Sequence, residues 1–134
     1  MAGKIIDASA LLAYFRDGPA ADAVEQILIA ASRRDTPLQI SHVAFAELKH
    51  VILRDGGAGA WKEAARILQG MPIELQPTTR STAELAAEYQ TNHGLKPLEA
   101  FSAALARERK AELVTASAAF GALNSEIKIQ LVGH

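Results

Sequence analysis

Cysteine is absent from the 134 residues, which excludes a disulfide scaffold, a cysteine nucleophile and any CxxC redox or zinc motif. Aromatic residues supply only 5% of the chain, too few to interleave with basic residues as a stacking platform for nucleobases. Neither sign of charge is in excess: 14 Lys and Arg stand against 15 Asp and Glu, a net charge of -1. A generically basic protein that coats nucleic acid is thereby excluded, and any such contact must be local. No apolar run approaches the roughly 18 residues of a membrane span, and Asp7 interrupts the opening MAGKIIDASALLAYF where a signal peptide stays apolar. A cytoplasmic protein whose first residues belong to its fold is the expectation. No GxxxxGK[ST], GxGxxG or GxSxG motif is present. What remains is a chain 49% hydrophobic, long enough to bury a core without staples. One domain over residues 1–134 is predicted.

Hydrophobic periodicity alternates between the two regular structures. Lys4-Ile5-Ile6 reads as a strand, followed after Asp7-Ala8-Ser9 by a helix carrying Leu11, Leu12, Tyr14 and Phe15. Gly18 and Pro19 separate it from a second helix, from about Pro19 to Arg34. Leu38-Gln39-Ile40 is a second strand, and Ser41 can cap the helix bearing Val43, Phe45, Leu48, Val51 and Ile52, which Arg54-Asp55-Gly56-Gly57 should end. A further helix is predicted from Trp61 to about Gln69, an extended segment at Pro72 to Leu75, and a helix opened by Ser81 or Thr82 and closed at Gly94. Pro97 begins a helix to about Lys110, Leu113-Val114-Thr115 reads as a buried strand, and Ile127 to Leu131 alternates as an edge strand. Interleaved strands and helices predict an α/β class fold, a three-layer α/β/α sandwich with a mostly parallel central sheet.

In such a sheet the working site lies beyond the carboxyl ends of the strands. Asp7 stands there, one residue before a helix, where it can serve as an ordinary cap; Ser9 can cap or orient a carboxylate. Glu47 shares a helical stripe with Val43 and Val51, and an ionised acid buried without a partner costs several kcal/mol. It must pair with a base such as Lys49 or Lys62, stay protonated, or face a cation. Glu99 occupies the first turn after Pro97, which welcomes any acid. Above it Ser102, Ala103 and Ala106 form a strip of small residues beside a predicted crevice, with Leu98, Phe101 and Leu105 expected in the core. Each acid has a structural explanation by itself. Gathered at one sheet end, Asp7, Glu47 and Glu99 would repel and call for a divalent ion, with Thr115 and Ser117 near by. Hard oxygen donors suit Mg²⁺ or Mn²⁺, whose chemistry includes phosphodiester hydrolysis. His42, His50, His93 and His134 form no zinc motif and are read as surface or satisfied histidines. Arg33, Arg34, Lys49, Arg54, Arg107, Arg109 and Lys110 are either phosphate contacts around the acids or solvated charges.

Four segments in this order give the chain a likeness. Lys4 to Leu11 carries the first acid and the following Ser9, Ile40 to Leu48 carries Glu47, Gly94 to Phe101 carries Glu99, and Leu113 to Phe120 carries Thr115 and Ser117. Together they resemble a PIN-domain ribonuclease, the toxin of VapBC-type toxin-antitoxin pairs. The resemblance implies an endoribonuclease with Mg²⁺ or Mn²⁺ at Asp7, Glu47 and Glu99. It further implies support from Ser9, Thr115 and Ser117, a small antitoxin that blocks the site, and a homodimer. Two positions depart from the family pattern. Glu99 stands where Asp is usual, moving the carboxylate by about 1.5 Å, and Ser117 stands where a fourth acid is frequent. The alternative is a weakened or inactive PIN fold that binds an antitoxin or RNA without turnover.

Overall fold

β-Branched and aliphatic runs form five short strands in the computed structural model, which describes residues 3–133. They are β1 (Lys4–Ile6), β2 (Leu38–Ser41), β3 (Ile73–Gln76), β4 (Glu112–Thr115) and β5 (Ile129–Leu131). All neighbours pair in parallel, in the order β3-β2-β1-β4-β5. Helices cover both faces: α1 (Ala8–Phe15), α2 (Ala21–Arg33), α3 (His42–Gln69), α4 (Arg80–His93) and α5 (Pro97–Arg109), with a 3-10 turn at Ala118–Leu123.

Alternation along the strands builds two cores. Ile6, Ile40 and Val114 pack against α1, α2 and α3, while Ile5 and Leu113 pack against α4, α5 and the 3-10 turn, where Phe120 is fully buried. Strands buried on both faces need apolar residues at consecutive positions, as Ile5-Ile6 and Leu113-Val114 provide. Each such side chain is worth about 1.5–3 kcal/mol on burial. The expected three-layer α/β/α arrangement is therefore present.

The break predicted at Arg54 to Gly57 is present: Gly57, at φ 78 and ψ -172, kinks α3 into two helical halves, the second beginning before the expected Trp61 and running to Gln69. Three local expectations are corrected. Thr79, rather than Ser81 or Thr82, caps α4 by accepting the Thr82 N–H. Ser81 and Thr82 lie inside the first turn, where both hydroxyls donate to Glu108 of α5. The strip Ser102, Ala103 and Ala106 is buried, because small residues let α5 approach its neighbours closely, and of the three Ala106 borders a cavity, at the amino ends of the strands away from Glu99. Leu98 is 39% exposed rather than in the core. No helix among the described residues is long and apolar enough to cross a membrane.

Candidate active site

The chain runs outward from β1 through β2 to β3, then returns to place β4 and β5 on the other side of β1. Connections leaving β1 and β4 therefore diverge to opposite faces, and the crevice they open is the usual ligand position of an open parallel sheet. Asp7 and Thr115 stand at the carboxyl ends of these two strands. The Asp7 N–H donates to the Val114 carbonyl at 3.1 Å, continuing the ladder to the lip of the crevice.

Asp7 is 5% exposed, yet among the described residues its carboxylate forms no ion pair. The Ser9 hydroxyl donates to Oδ1 at 2.7 Å, the Ala10 N–H to the same oxygen at 3.1 Å, and the Thr115 hydroxyl to Oδ2 at 2.7 Å. The two hydroxyl oxygens, 3.1 Å apart, in turn accept the N–H groups of Ala116 (2.9 Å) and Ser117 (3.0 Å). A hydroxyl has one proton, so those backbone donors leave both protons for the carboxylate. Burial pushes Asp7 above the usual carboxylate range; the donors from Thr115, Ser9 and Ala10 oppose this, and Glu99 adds to it. Asp7 is a helix cap as well, since Ala10 is in the first turn of α1.

Glu47 projects from the first half of α3, half-buried, with no hydrogen-bond or ion-pair partner among the described residues. Burial raises it above the ordinary range, and the charges of Asp7 and Glu99 raise it further. Of the bases proposed as its partners, Lys49 instead lies 5.4 Å over the Trp61 ring, which meets Phe45 edge to face, and Lys62 is exposed. The cation whose charge acts on Glu47, lowering it against the effect of the acids, is Lys96 at the start of α5, without an ion pair between the two. Its signal in the sequence was its place beside Pro97, which puts a base three residues from Glu99. Glu99 itself accepts the Ser117 hydroxyl at 3.0 Å and, more weakly, the Lys96 N–H at 3.4 Å.

The three predicted acids thus act on one another electrostatically across the crevice, and the segment 115–117 holds two of them. A carboxylate-only donor set with one lysine acting on it has the chemistry of a hard divalent ion site. Among the described residues no three His, Cys, Asp or Glu side chains stand as a ready-made cage. Asp7 is fixed by its donors and Glu99 is held by Ser117, which leaves Glu47 the freest of the three.

The basic residues do not surround the acids. Arg34, Arg107 and Lys110 line a cavity of about 430 Å³ with Gly3, Lys4 and Lys128, at the amino ends of the strands. Arg54 pairs with Asp55, and Arg109 donates to Gln39 and Gln76. Arg33 and Lys49 are exposed. Helix C-termini favour cations, and α2 and α5 end at that opposite edge. His42 and His50 are exposed, His93 stacks edge-on with Tyr89, and His134 lies outside the described residues.

A second cavity, of about 400 Å³, separates α1 from α3. Leu12, Phe15, Val51, Ile52 and Ala64 give it apolar walls, and Arg16, Asp55 and Glu63 stand at its rim.

Comparison with known proteins agrees with this architecture. The chain is similar to VapBC2 from Rickettsia felis, a structure bound to a promoter DNA fragment, with a TM-score of 0.80 and 14% identity over 97% of this chain and 98% of that one. It is similar to a toxin-antitoxin complex from Klebsiella pneumoniae, with a TM-score of 0.72 and 18% identity over 96% of each chain. Similarity extends to VapC20 of Mycobacterium tuberculosis, a sarcin-ricin loop cleaving toxin, with a TM-score of 0.71 and 21% identity over 90% of this chain and 94% of that one. No curated protein matches the sequence. The PIN domain model matches residues 4–124, a span that includes Asp7, Glu47, Glu99 and Ser117. PIN domains generally use divalent metal ions. The chain belongs to the PIN-domain family.

Proposed function

We propose that the protein is a metal-dependent endoribonuclease and the toxin of a toxin-antitoxin pair. The observation that carries this reading is Asp7: a buried carboxylate at the switch point of the sheet, held by three neutral donors, opposite two further acids and no neutralising base of its own. Asp7, Glu47 and Glu99 would hold Mg²⁺ or Mn²⁺, with Ser9, Thr115 and Ser117 in support. When bound, such an ion supplies an activated water and stabilises charge on the phosphodiester.

The residues divide the remaining work. Ser9 and Thr115 orient Asp7 by directing their only protons at it. Glu47, without a hydrogen-bond or ion-pair partner among the described residues and raised above the ordinary carboxylate range by burial and by Asp7 and Glu99, would be suited to take a proton from the attacking water. Lys96 offers the scissile phosphate a cationic contact on the same side. The similarity to VapC20, a sarcin-ricin loop cleaving toxin, supports RNA as substrate. Similarity to a toxin-antitoxin complex supports a small antitoxin partner. That partner would lay an apolar segment in the α1–α3 cavity and reach a basic side chain toward the acids. We assign the chain one domain, a cytoplasmic location and a homodimeric state on the same family grounds.

Purified protein should cleave RNA with Mg²⁺ or Mn²⁺, and Asp7→Asn should slow it by about a hundredfold or more. Equal cleavage by that variant would overturn the reading. The lack of a ready-made cage is what a binding-only PIN fold would also have. Tight antitoxin binding with no metal-dependent cleavage at any enzyme concentration would select that alternative.

A further inference from the structure

Among the described residues, Ser117 is the one side chain that hydrogen-bonds the Glu99 carboxylate from outside α5. Its oxygen accepts the Ala119 N–H at 3.2 Å, which leaves its single proton for Glu99 Oε2 at 3.0 Å. Among the described residues the opposite oxygen, Oε1, has only the 3.4 Å contact to the Lys96 N–H, near the limit of a hydrogen bond. Ser117 also donates its own N–H to Thr115 Oγ1, whose proton goes to Asp7 Oδ2. Two acids from distant parts of the chain are therefore held by one three-residue segment: Asp7 through Thr115, and Glu99 through Ser117.

We infer that Ser117 is a positioning residue matched to the length of Glu99, setting the direction in which that carboxylate meets a divalent ion. This rests on the reading of Asp7, Glu47 and Glu99 as a metal site. The matching is steric. An aspartate at position 99 is shorter by about 1.5 Å and would lose the Ser117 hydroxyl. A second acid at position 117 would set two carboxylates against each other. Glutamate with serine avoids both problems, so the two residues form a compensating pair.

Calorimetric titration with Mn²⁺ tests the pair. Ser117→Ala should weaken Mn²⁺ binding about tenfold, the usual effect of removing a partner that orients a metal ligand. Ser117→Thr, which keeps the hydroxyl, should bind as the wild type. In a Glu99→Asp background, Ser117→Ala should change nothing further, because the hydroxyl has no carboxylate within reach. Loss of the Ala119 cap is common to both backgrounds and cancels in this cycle.

An equal tenfold loss in both backgrounds overturns the inference, as does wild-type affinity in Ser117→Ala. Should Glu99→Asp bind too weakly to titrate, the threonine variant decides: wild-type affinity supports positioning and alanine-like affinity overturns it. Asp7→Asn separates the two levels. If the wild type binds Mn²⁺ and Asp7→Asn does not, a silent Ser117→Ala removes only the role of Ser117. If the wild type binds no Mn²⁺, the metal site and this inference fall together.

Discussion

Every donor around Asp7 is neutral, so its negative charge is oriented without being cancelled. That distinction has a measurable sign. Burial lifts Asp7 and Glu47 above the ordinary carboxylate value, with help from neighbouring acids. A carboxylate raised by folding keeps its proton in the native state over a pH range where the unfolded chain has lost it. The native state then binds more protons, and stability falls as pH rises through that range. Above the raised native values the loss is complete. In chelator at neutral pH, Asp7→Asn should therefore melt higher than the wild type, and the gap should close as pH falls toward about 4. Each kcal/mol relieved corresponds to about 3–6 °C at this chain length. Asparagine fits the pocket, since the Thr115 oxygen can accept from the new amide while its proton turns to Ser9, 3.1 Å away. Calorimetric melting from about pH 4 to 8 checks this; a less stable variant at neutral pH would show that the charge is not a net cost. At this scale the acids were legible from the sequence, because an acid on an apolar stripe or beside a strand end is a local anomaly. Their surroundings were not. Lys49 lies over Trp61 across the Gly57 kink within α3, and the charge of Lys96 acts on Glu47 because α3 and α5 pack together, neither of which regular helical spacing encodes.

Among the secondary-structure elements, α3 carries the clearest test. Gly57 has φ 78 and ψ -172, and a Cβ there would meet nothing within 4 Å. The cost of Gly57→Ala is therefore backbone conformation alone, about 1–3 kcal/mol. Urea unfolding should show a lower midpoint with an unchanged slope. Mn²⁺ affinity should stay at the wild-type value, because Glu47 belongs to the half of α3 before the break. At Gly56 the cause would differ, since a Cβ would lie 2.6 Å from Ala60 Cβ. The sequence showed both halves of α3 through their 3.6-residue period, and the Gly pair marked the break between them. What it hid was that a single residue absorbs the turn. The start of α4 was hidden for a related reason: Thr79, Ser81 and Thr82 are equivalent caps by residue type, and Glu108 on α5 settles the choice by taking two of the hydroxyls.

Across the whole molecule the site acids and a group of basic residues stand at opposite ends of the sheet. Asp7, Glu47 and Glu99 gather beyond the carboxyl ends of β1 and β4, while Lys4, Arg34, Arg107, Lys110 and Lys128 line the cavity at the amino ends together with Glu112 and Glu126, and Lys4 and Lys128 both pair with Glu112. Strands of three or four residues, rising about 3.3 Å per residue, separate the two by about 10 Å or more, comparable to the screening length at 0.1 M salt. RNA cleavage by an Arg34→Ala, Lys110→Ala double variant should accordingly stay within about twofold of the wild type at that ionic strength. A larger loss, measured as initial rate, would place the substrate across both ends of the sheet.

Taken alone, the sequence determined the alternation of strands and helices, the apolar residues buried on both faces of β1 and β4, and which acids stood at strand or helix ends. These are short-range properties, carried by a period of two or 3.6 residues and by the chemistry of a cap. Tertiary structure decided which hydroxyls reach Asp7, which lysine acts on Glu47, that Ser117 holds Glu99, and that Lys4, Arg34, Arg107, Lys110 and Lys128 gather at the opposite end of the sheet from the site acids. Hydrogen bonds and charge interactions depend on distance through space, and only the packing of α3, α5 and the β4 turn around one crevice sets those distances.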